Sequence, residues 1–272
     1  MINNKKSSSK RSRRQKRGFV LTTIYACLVI TFIYIPVVTM IAFSFNDQEA
    51  NISWQGFTVK YYARLLQDYD LLSCFGLTMF IAIVVTVVSV LIGTLGAVGL
   101  VRNEFKGKNI FNNGLYIPII IPEIVLAVAM LSIFAVVDVP QGTLAIIIGH
   151  ITLTLPYVVI NVKSRLMGYD KSIEEASLDL GANRRQTFIR VILPMIMPGV
   201  MSGAFLSFTL SLDDFVVSNF LAGPKSMTLP IKVYSMLKVG VRPQVNALCT
   251  IIIVIIAVVI GINLIREKKQ ET

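Results

Sequence analysis

Acidic side chains interrupt apolar sequence at two places in this chain. Asp213 and Asp214 stand side by side within LSLDDFVV, and Glu123 lies within IPIIIPEIV. A carboxylate inside a membrane costs about 2.5–3.5 kcal/mol on insertion scales and therefore marks a functional site by default. Tyr157 lies in another apolar run. These four side chains are our candidates for lining a substrate path, and the aspartates favour a cation over an anion as the substrate.

Each of these residues also has a structural interpretation, and both interpretations stay open for the two aspartates. Asp213 and Asp214 could cap a broken helix or pair with a neighbouring helix. Adjacent residues point roughly 100° apart on a helix, so at most one aspartate faces a pore squarely. For Glu123 we favour a role in satisfying backbone donors disturbed by the preceding proline. We favour packing for Tyr157, and a hydrogen-bonded helix contact rather than a proton relay for His150.

Long apolar stretches must position these residues. The chain has 272 residues, of which 54% are hydrophobic, and its mean hydropathy is +0.71. A helix needs roughly 20 apolar residues to cross a bilayer, and suitable stretches lie at 18–45, 72–101, 114–137, 143–162, 193–221 and 246–265. Backbone amides cannot stay unpaired in lipid, so each stretch must be helical. We predict an all-α integral membrane protein with six transmembrane helices, the third bent by Pro118 and Pro122.

Basic residues indicate the orientation of these helices. Residues 1–17 carry eight Lys or Arg and no acidic residue, and segments 102–113, 163–192 and 266–272 are also basic. Cytoplasmic segments are enriched in Lys and Arg, so we predict that both termini are cytoplasmic. The net charge of +11 then reflects topology and contact with lipid headgroups rather than nucleic-acid binding. The expected order is a disordered tail at 1–17, a transmembrane domain at 18–265 and a tail at 266–272.

A polar loop at 168–192 separates the fourth and fifth apolar stretches. In SIEEASLDL, the small and apolar residues recur at helical spacing and form one face, which comprises Ile173, Ala176, Ser177 and Leu180. Gly181 should end this helix, and Asn183 with Gln186 fits a capping box for the next one. We predict a helix–turn–helix held against the transmembrane helices, with Glu175 in an exposed acidic rim beside Leu178. An interfacial helix lying on lipid is the alternative.

No enzyme chemistry is evident in the sequence. There is one histidine, no pattern of metal ligands, no G-x-S-x-G and no G-x-x-x-x-G-K-[ST] for ATP. The three cysteines lie in or beside apolar runs without a C-x-x-C pattern, which is typical of buried structural thiols. We therefore predict a protein that is not an enzyme and uses no cofactor or metal.

The stretch EASLDLGANRRQTFIRVILP resembles the EAA motif of permease subunits of bacterial binding-protein-dependent ABC importers. That motif reads E-A-A, three residues, G, nine residues and I-x-L-P. Glu175, Ala176, Gly181 and the Leu-Pro pair match it, while Ser177 stands for the second Ala and Val191 for the Ile. Further segments resemble the spermidine/putrescine permease subunits of this family: SWQGFTVKYYARLL (53–66), SLDDFVVSNFLAGP (211–224) and KVGVRPQVNAL (238–248).

The resemblance implies a type I ABC importer permease fold and import of polyamines across the bacterial cell membrane. Loop 168–192 would couple the permease to a separate ATPase through Glu175, Ala176, Leu178 and Gly181. The implied partners are an ATPase subunit dimer, a second homologous permease subunit, an extracytoplasmic polyamine-binding protein and the lipid bilayer. Two alternatives stay open: an ABC permease for thiamine, iron, sulfate or phosphonate, and a standalone ion-coupled carrier.

Overall fold

A computed structural model describes residues 3–47, 53–168, 170, 172–237 and 242–270, and the side chains within these ranges from residue 21 to residue 258. The described residues form helices joined by short turns, with one isolated antiparallel bridge between Asn46 and Phe57. The helices are α1 (Asn3–Phe43), α2 (Lys60–Leu65), α3 (Tyr69–Arg102), α4 (Lys108–Gly114), α5 (Ile117–Ile120), α6 (Glu123–Val136), α7 (Thr143–Met167), α8 (Ser172–Asp179), α9 (Arg184–Thr187), α10 (Leu193–Asp213), α11 (Val216–Leu221), α12 (Leu229–Leu237) and α13 (Pro243–Gln270). A π-helical turn, Phe188–Ile192, joins α9 to α10.

One compact unit comprises Met1–Asp68 and Val239–Thr272. Within it, α13 contacts both α1 and α2. The turn after α1 is held by aromatic contacts, with the ring of Phe45 centred 5.4 Å from that of Phe57 and 5.2 Å from that of Tyr62. Helix α1 begins at Asn3, within the basic segment 1–17 for which the sequence predicts a disordered tail. No proline or glycine lies between residues 3 and 17, so nothing local ends the helix there.

The other unit, Tyr69–Lys238, contains two apolar clusters. The first joins α3, α6, α7 and α11 through Ile81, Val85, Ala127, Met130, Phe134, Ala145, Ile146, Val217 and Leu221. The second joins α3, α7, the π-helical turn and α10 through Ala97, Val158, Val159, Val162, Leu166, Ile192, Ile196 and Val200. Large apolar side chains also point outward, as lipid-facing residues do, and Phe205 is 71% exposed.

Glycines allow α3, α7 and α10 to approach closely. A Cβ added at Gly93 would lie 2.8 Å from Cγ1 of Val158, and one added at Gly203 would lie 3.0 Å from Cα of the same residue. Gly93 and Gly203 thus pack against Val158 from two helices. The sequence places Gly96 and Gly99 with Gly93 on one small-residue face, but an added Cβ would meet no atom within 4 Å at either position.

Two of the six predicted spans are broken in the structure. Among the described residues, four helices are long and apolar enough to cross a membrane, or five if a pair bent by 109° counts as one span. That pair, Lys108–Ile120 and Glu123–Val136, replaces the single bent helix predicted at 114–137, because Pro118 and Pro122 lack amide donors and Ile121 is extended. The stretch at 193–221 is also broken, since α10 ends at Asp213 and α11 begins at Val216. The sixth stretch lies in α13.

Candidate functional site

A cavity of about 480 Å³ lies where both broken helices meet α7. It brings together all four residues that the sequence proposes for a cation path, namely Glu123, Tyr157, Asp213 and Asp214. The other lining residues are Pro118, Ile119, Ile121, Leu153, Leu210, Phe215 and Val216. The volume is in the range of small-molecule sites, which are mostly apolar with a few convergent polar groups.

The breaks in the two helices create this cavity. Ile121 and Pro122 adopt extended backbone conformations with ψ near 134° and 132°, and Asp214 does the same with ψ 122°. Non-helical backbone at membrane depth is tolerated only where it is buried in protein or lines a cavity. Both breaks therefore mark this region as a place where a polar ligand can be received.

The side chain of Asp214 forms hydrogen bonds within the protein. This side chain is buried, with a relative exposure of 5%. Oδ2 accepts hydrogen bonds from the backbone amide of Ser218 at 2.7 Å and from Nε2 of His150 at 2.9 Å, while Oδ1 accepts from the amide of Val217 at 3.3 Å. Asp214 lies one residue before Phe215, the N-cap residue of α11, and its side chain caps the first-turn amides of α11 while pairing with α7. Both structural alternatives raised for the aspartate pair therefore apply to Asp214.

His150 is a hydrogen-bonded helix contact, as predicted. Its ring is 1% exposed, with Nδ1 lying 2.8 Å from Oγ of Ser211 and Nε2 lying 3.0 Å from Oγ of Ser218. The sequence could not identify its carboxylate partner, because Asp214 lies 64 residues away. The periodicity of α7 carries no information about which helix lies opposite.

Asp213 and Glu123 differ from Asp214 because both are exposed. Glu123 is the first residue of α6, where a negative charge is favoured by the helix dipole. Glu123, Asp213 and Asp214 all line the same cavity. Glu123 therefore belongs to the carboxylate group of the cavity, rather than serving the backbone donors near Pro122 as favoured from the sequence.

Aromatic rings complete the lining. Tyr157 lines the cavity half-buried, so it does not serve packing alone as favoured from the sequence. Phe215 also lines the cavity, and its ring centre lies 4.3 Å from that of Tyr234 on α12. Carboxylates at 123 and 213 next to these rings provide two complementary kinds of attraction for an ammonium group. The cavity is thus suited chemically to an organic cation.

The second candidate site is the loop at 168–192, whose local structure follows the sequence closely. Helix α8 ends at Asp179, and Gly181 takes a φ of +86°, the left-handed conformation that glycine adopts readily. Asn183 and Gln186 form the predicted capping box, with both reciprocal hydrogen bonds at 2.9 Å. Before α8, hydrogen bonds from Ser172 lower the pKa of Asp170. The end of α8 and the start of α9 are therefore fixed by local interactions.

The exposed groups of this loop differ from the expectation in two details. Glu175, Ala176 and Leu178 are exposed, but Glu174 pairs with Arg102 at the end of α3 and leaves the acidic rim. Leu180 lies after the end of α8 at Asp179 and is 89% exposed, and Ile173 of the same predicted face is 42% exposed. Ion pairing to α3 and the π-helical turn into α10 tie the loop to the transmembrane helices.

The family model described as "Binding-protein-dependent transport system inner membrane component" matches residues 89–267 of the chain. The chain belongs to this family. The loop at 168–192 lies entirely within the matched range. The family and the apolar helices place the chain in the plasma membrane as a multi-pass protein.

Curated relatives cover nearly the whole chain. The spermidine/putrescine transport system permease protein PotC of Escherichia coli is 42% identical over 259 residues, which is 95% of this chain and 96% of the relative. PotC of Haemophilus influenzae is 38% identical, covering 93% of this chain and 98% of the relative. The putrescine transport system permease protein PotI of E. coli is 37% identical, covering 85% of each. These relatives are permease subunits, so this family member is a transport subunit and not an enzyme, as predicted.

A solved structure confirms the predicted fold. A chain from the crystal structure of a bacterial ABC transporter involved in the import of the acidic polysaccharide alginate superposes with a TM-score of 0.70 at 16% identity. The match covers 94% of this chain and 97% of that chain. The type I ABC importer permease fold expected from the EAA motif is therefore present.

Proposed function

We propose that this chain is a membrane-spanning permease subunit of an ATP-driven polyamine importer and forms half of the translocation pore. The observation that carries this proposal is the cavity in which Glu123 and Asp213 stand beside Tyr157 and Phe215. Relatives named for spermidine and putrescine transport support the same cargo. A sulfate or phosphonate ion would meet repulsion from these carboxylates.

Polyamines are flexible chains of ammonium groups, and each part of the cavity suits one feature of them. The carboxylates of Glu123 and Asp213 accept charge-assisted hydrogen bonds from ammonium groups. The rings of Tyr157 and Phe215 attract cations and pack against methylene groups. Asp214 contributes to the local negative potential, but its own hydrogen bonds are directed to His150 and α11.

Loop 168–192 is the coupling element in this proposal. Glu175, Ala176 and Leu178 present the exposed surface for a separate ATPase dimer, and Gly181 makes the turn that orients it. The remaining partners are a second homologous permease subunit, which completes the pore, and an extracytoplasmic polyamine-binding protein. In this arrangement both termini and the coupling loop are cytoplasmic, and residues 18–265 form the transmembrane domain.

Helix α10 links the two sites. It begins at Leu193, directly after the π-helical turn of the coupling loop, and ends at Asp213 in the cavity. Its 21 residues, which include Pro198, correspond to about 30 Å of helix at 1.5 Å per residue. When the ATPase dimer closes, the loop moves. Helix α10 then acts as a lever that shifts Asp213 between two states of the pore.

The cargo is tested by the affinity of uptake in cells that carry the complete importer. Glu123→Gln and Asp213→Asn should each raise the KM for spermidine or putrescine about tenfold, because a charge-assisted hydrogen bond contributes roughly 1.5–3 kcal/mol. Glu104→Gln, which neutralises an exposed carboxylate outside the cavity, should leave the KM unchanged. An unchanged KM in the Glu123→Gln/Asp213→Asn double variant would remove the cavity from the transport path.

A further inference from the structure

His150 connects three structural elements around the substrate cavity. The residue lies on α7, Ser211 lies in the last turns of α10, Asp214 is in the break, and Ser218 is on α11. All four side chains are at least 95% buried. A single imidazole therefore spans the point at which the fifth apolar stretch is interrupted.

Both ring nitrogens of His150 have hydrogen-bond partners. Nε2 lies 2.9 Å from Oδ2 of Asp214, and we assign the ring N–H to this bond because a carboxylate oxygen accepts. Nδ1 lies 2.8 Å from the hydroxyl of Ser211, which can rotate to suit either role. In this arrangement every polar atom of the ring has a partner, and the imidazole is held in one orientation.

The orientation of the imidazole fixes the position of Asp214, which lies in the break between α10 and α11. With Oδ2 held by His150, the same carboxylate receives the amides of Val217 and Ser218 and starts α11. The opposite end of α11 is also attached near α7, since the amide of Gly142 donates to the carbonyl of Leu221 at 2.9 Å. Helix α11 is thus fixed at both ends, and the residue just before its cap is Asp213.

Close packing beside His150 reinforces this attachment. A Cβ added at the neighbouring Gly149 would lie 2.7 Å from Cγ1 of Val217 and 2.6 Å from Cδ1 of Leu221. No side chain separates α7 from α11 at Gly149. A shift of Asp214, the partner of the imidazole, would therefore move α11 itself. The backbone direction at Asp214 therefore depends on the His150 contact.

We propose that His150 is a positioning residue for the substrate path: by fixing Asp214 as the cap of α11, it directs the Asp213 carboxylate into the cavity opposite Glu123. Asp214 is then part of the support, and the charges offered to substrate are those of Glu123 and Asp213. This inference rests on the proposed function, because it assigns His150 a role in the same cavity.

The test is a double-mutant cycle on the KM of polyamine uptake, which does not depend on how much transporter reaches the membrane. His150→Gln should raise the KM about fivefold in the wild-type background, because a flexible amide no longer holds Asp214 in one position. In the Asp213→Asn background, His150→Gln should change the KM by less than twofold, because the carboxylate that His150 directs is already absent. Thr152→Ala, a polar deletion on the same helix whose hydroxyl bonds only the carbonyl of Ile148, should leave the KM unchanged in both backgrounds.

Three results would overturn the inference. An equal KM effect of His150→Gln in both backgrounds would show that the histidine does not act through Asp213. A fall in maximal uptake and membrane level with an unchanged KM would reduce His150 to a stability role. If Asp213→Asn and Glu123→Gln leave the KM unchanged, the cavity itself is not the path, and the proposed site fails together with the inference. His150→Asn serves as a second, smaller replacement if the Gln variant does not accumulate.

Discussion

Asp213 and Asp214 are consecutive residues with opposite environments: the side chain of Asp213 is exposed at the cavity, whereas that of Asp214 is buried and fully engaged by α7 and α11. The helix break after Asp213 produces this division. One carboxylate supports the local structure, and its neighbour is left available to bind a ligand.

Neutralising the two aspartates should therefore have separable effects. Asp214→Asn keeps one oxygen that can accept from His150 and the Ser218 amide, but it puts an NH2 donor against the amide of Val217. One unsatisfied buried group costs about 1–3 kcal/mol. We expect Asp214→Asn to lower the unfolding temperature of the purified permease and Asp213→Asn to leave it unchanged. Thermal unfolding in detergent measures this difference, and equal destabilisation by both substitutions would contradict the division of roles.

The close approach of α3 and α7 predicts opposite outcomes for two glycines on one helix. Gly93→Ala would place a Cβ 2.8 Å from Val158 and should destabilise the permease by about 1–3 kcal/mol, as overpacking does. Gly96→Ala meets no atom within 4 Å and should be neutral or slightly stabilising. Unfolding temperatures of the two variants test this, and similar losses at both positions would mean that α3 and α7 are not packed through Gly93.

Charge reversal at Glu175 tests the coupling surface. Glu175→Arg places a cation on the exposed side of α8 and should reduce polyamine uptake at least tenfold at equal membrane level, because a repulsive contact weakens docking of the ATPase. Glu104→Arg makes the same change on an exposed loop residue outside α8 and should retain uptake. Uptake assays with immunoblots for membrane level decide between these outcomes. Full uptake by Glu175→Arg would exclude this residue from the docking surface.

The turn at Gly181 predicts an order of tolerated residues. Its φ of +86° is accessible to Asn at small cost but is strained for β-branched residues, for which left-handed conformations cost at least roughly 1–2 kcal/mol. We expect Gly181→Asn to keep most of the uptake and Gly181→Val to lose most of it. A parallel measurement of ATPase activity in the assembled importer should show the same order. Equal uptake by both variants would mean that the turn does not orient the coupling surface.

Local patterns predicted the coupling loop well. The end of α8 near Gly181 and the capping box of Asn183 and Gln186 follow from residue types within a few positions of each other, and the structure confirms both. The predicted apolar face is less buried than its periodicity indicates, since Ile173 and Leu180 are both exposed. The partner of Glu174 was also missed, since Arg102 lies 72 residues away.

The cavity was predicted only in part, for the same physical reason. Insertion cost alone identified Glu123, Asp213 and Asp214 as unusual, and the structure brings them together. The sequence could not divide their roles, because that division depends on His150, a contact made across two helices. The helix breaks were underestimated: two prolines four residues apart indicate a bend, but their spacing does not give the 109° change of direction that the structure shows.

The most decisive experiment is labelled spermidine uptake by cells that lack this chain but retain the other subunits of the importer. Wild-type complementation should restore uptake, and the Glu123→Gln/Asp213→Asn double variant at equal membrane level should restore it only at much higher substrate concentration. Failure of the wild type to restore spermidine or putrescine uptake would contradict the polyamine assignment. Restoration by the double variant with unchanged affinity would contradict the role of the cavity carboxylates.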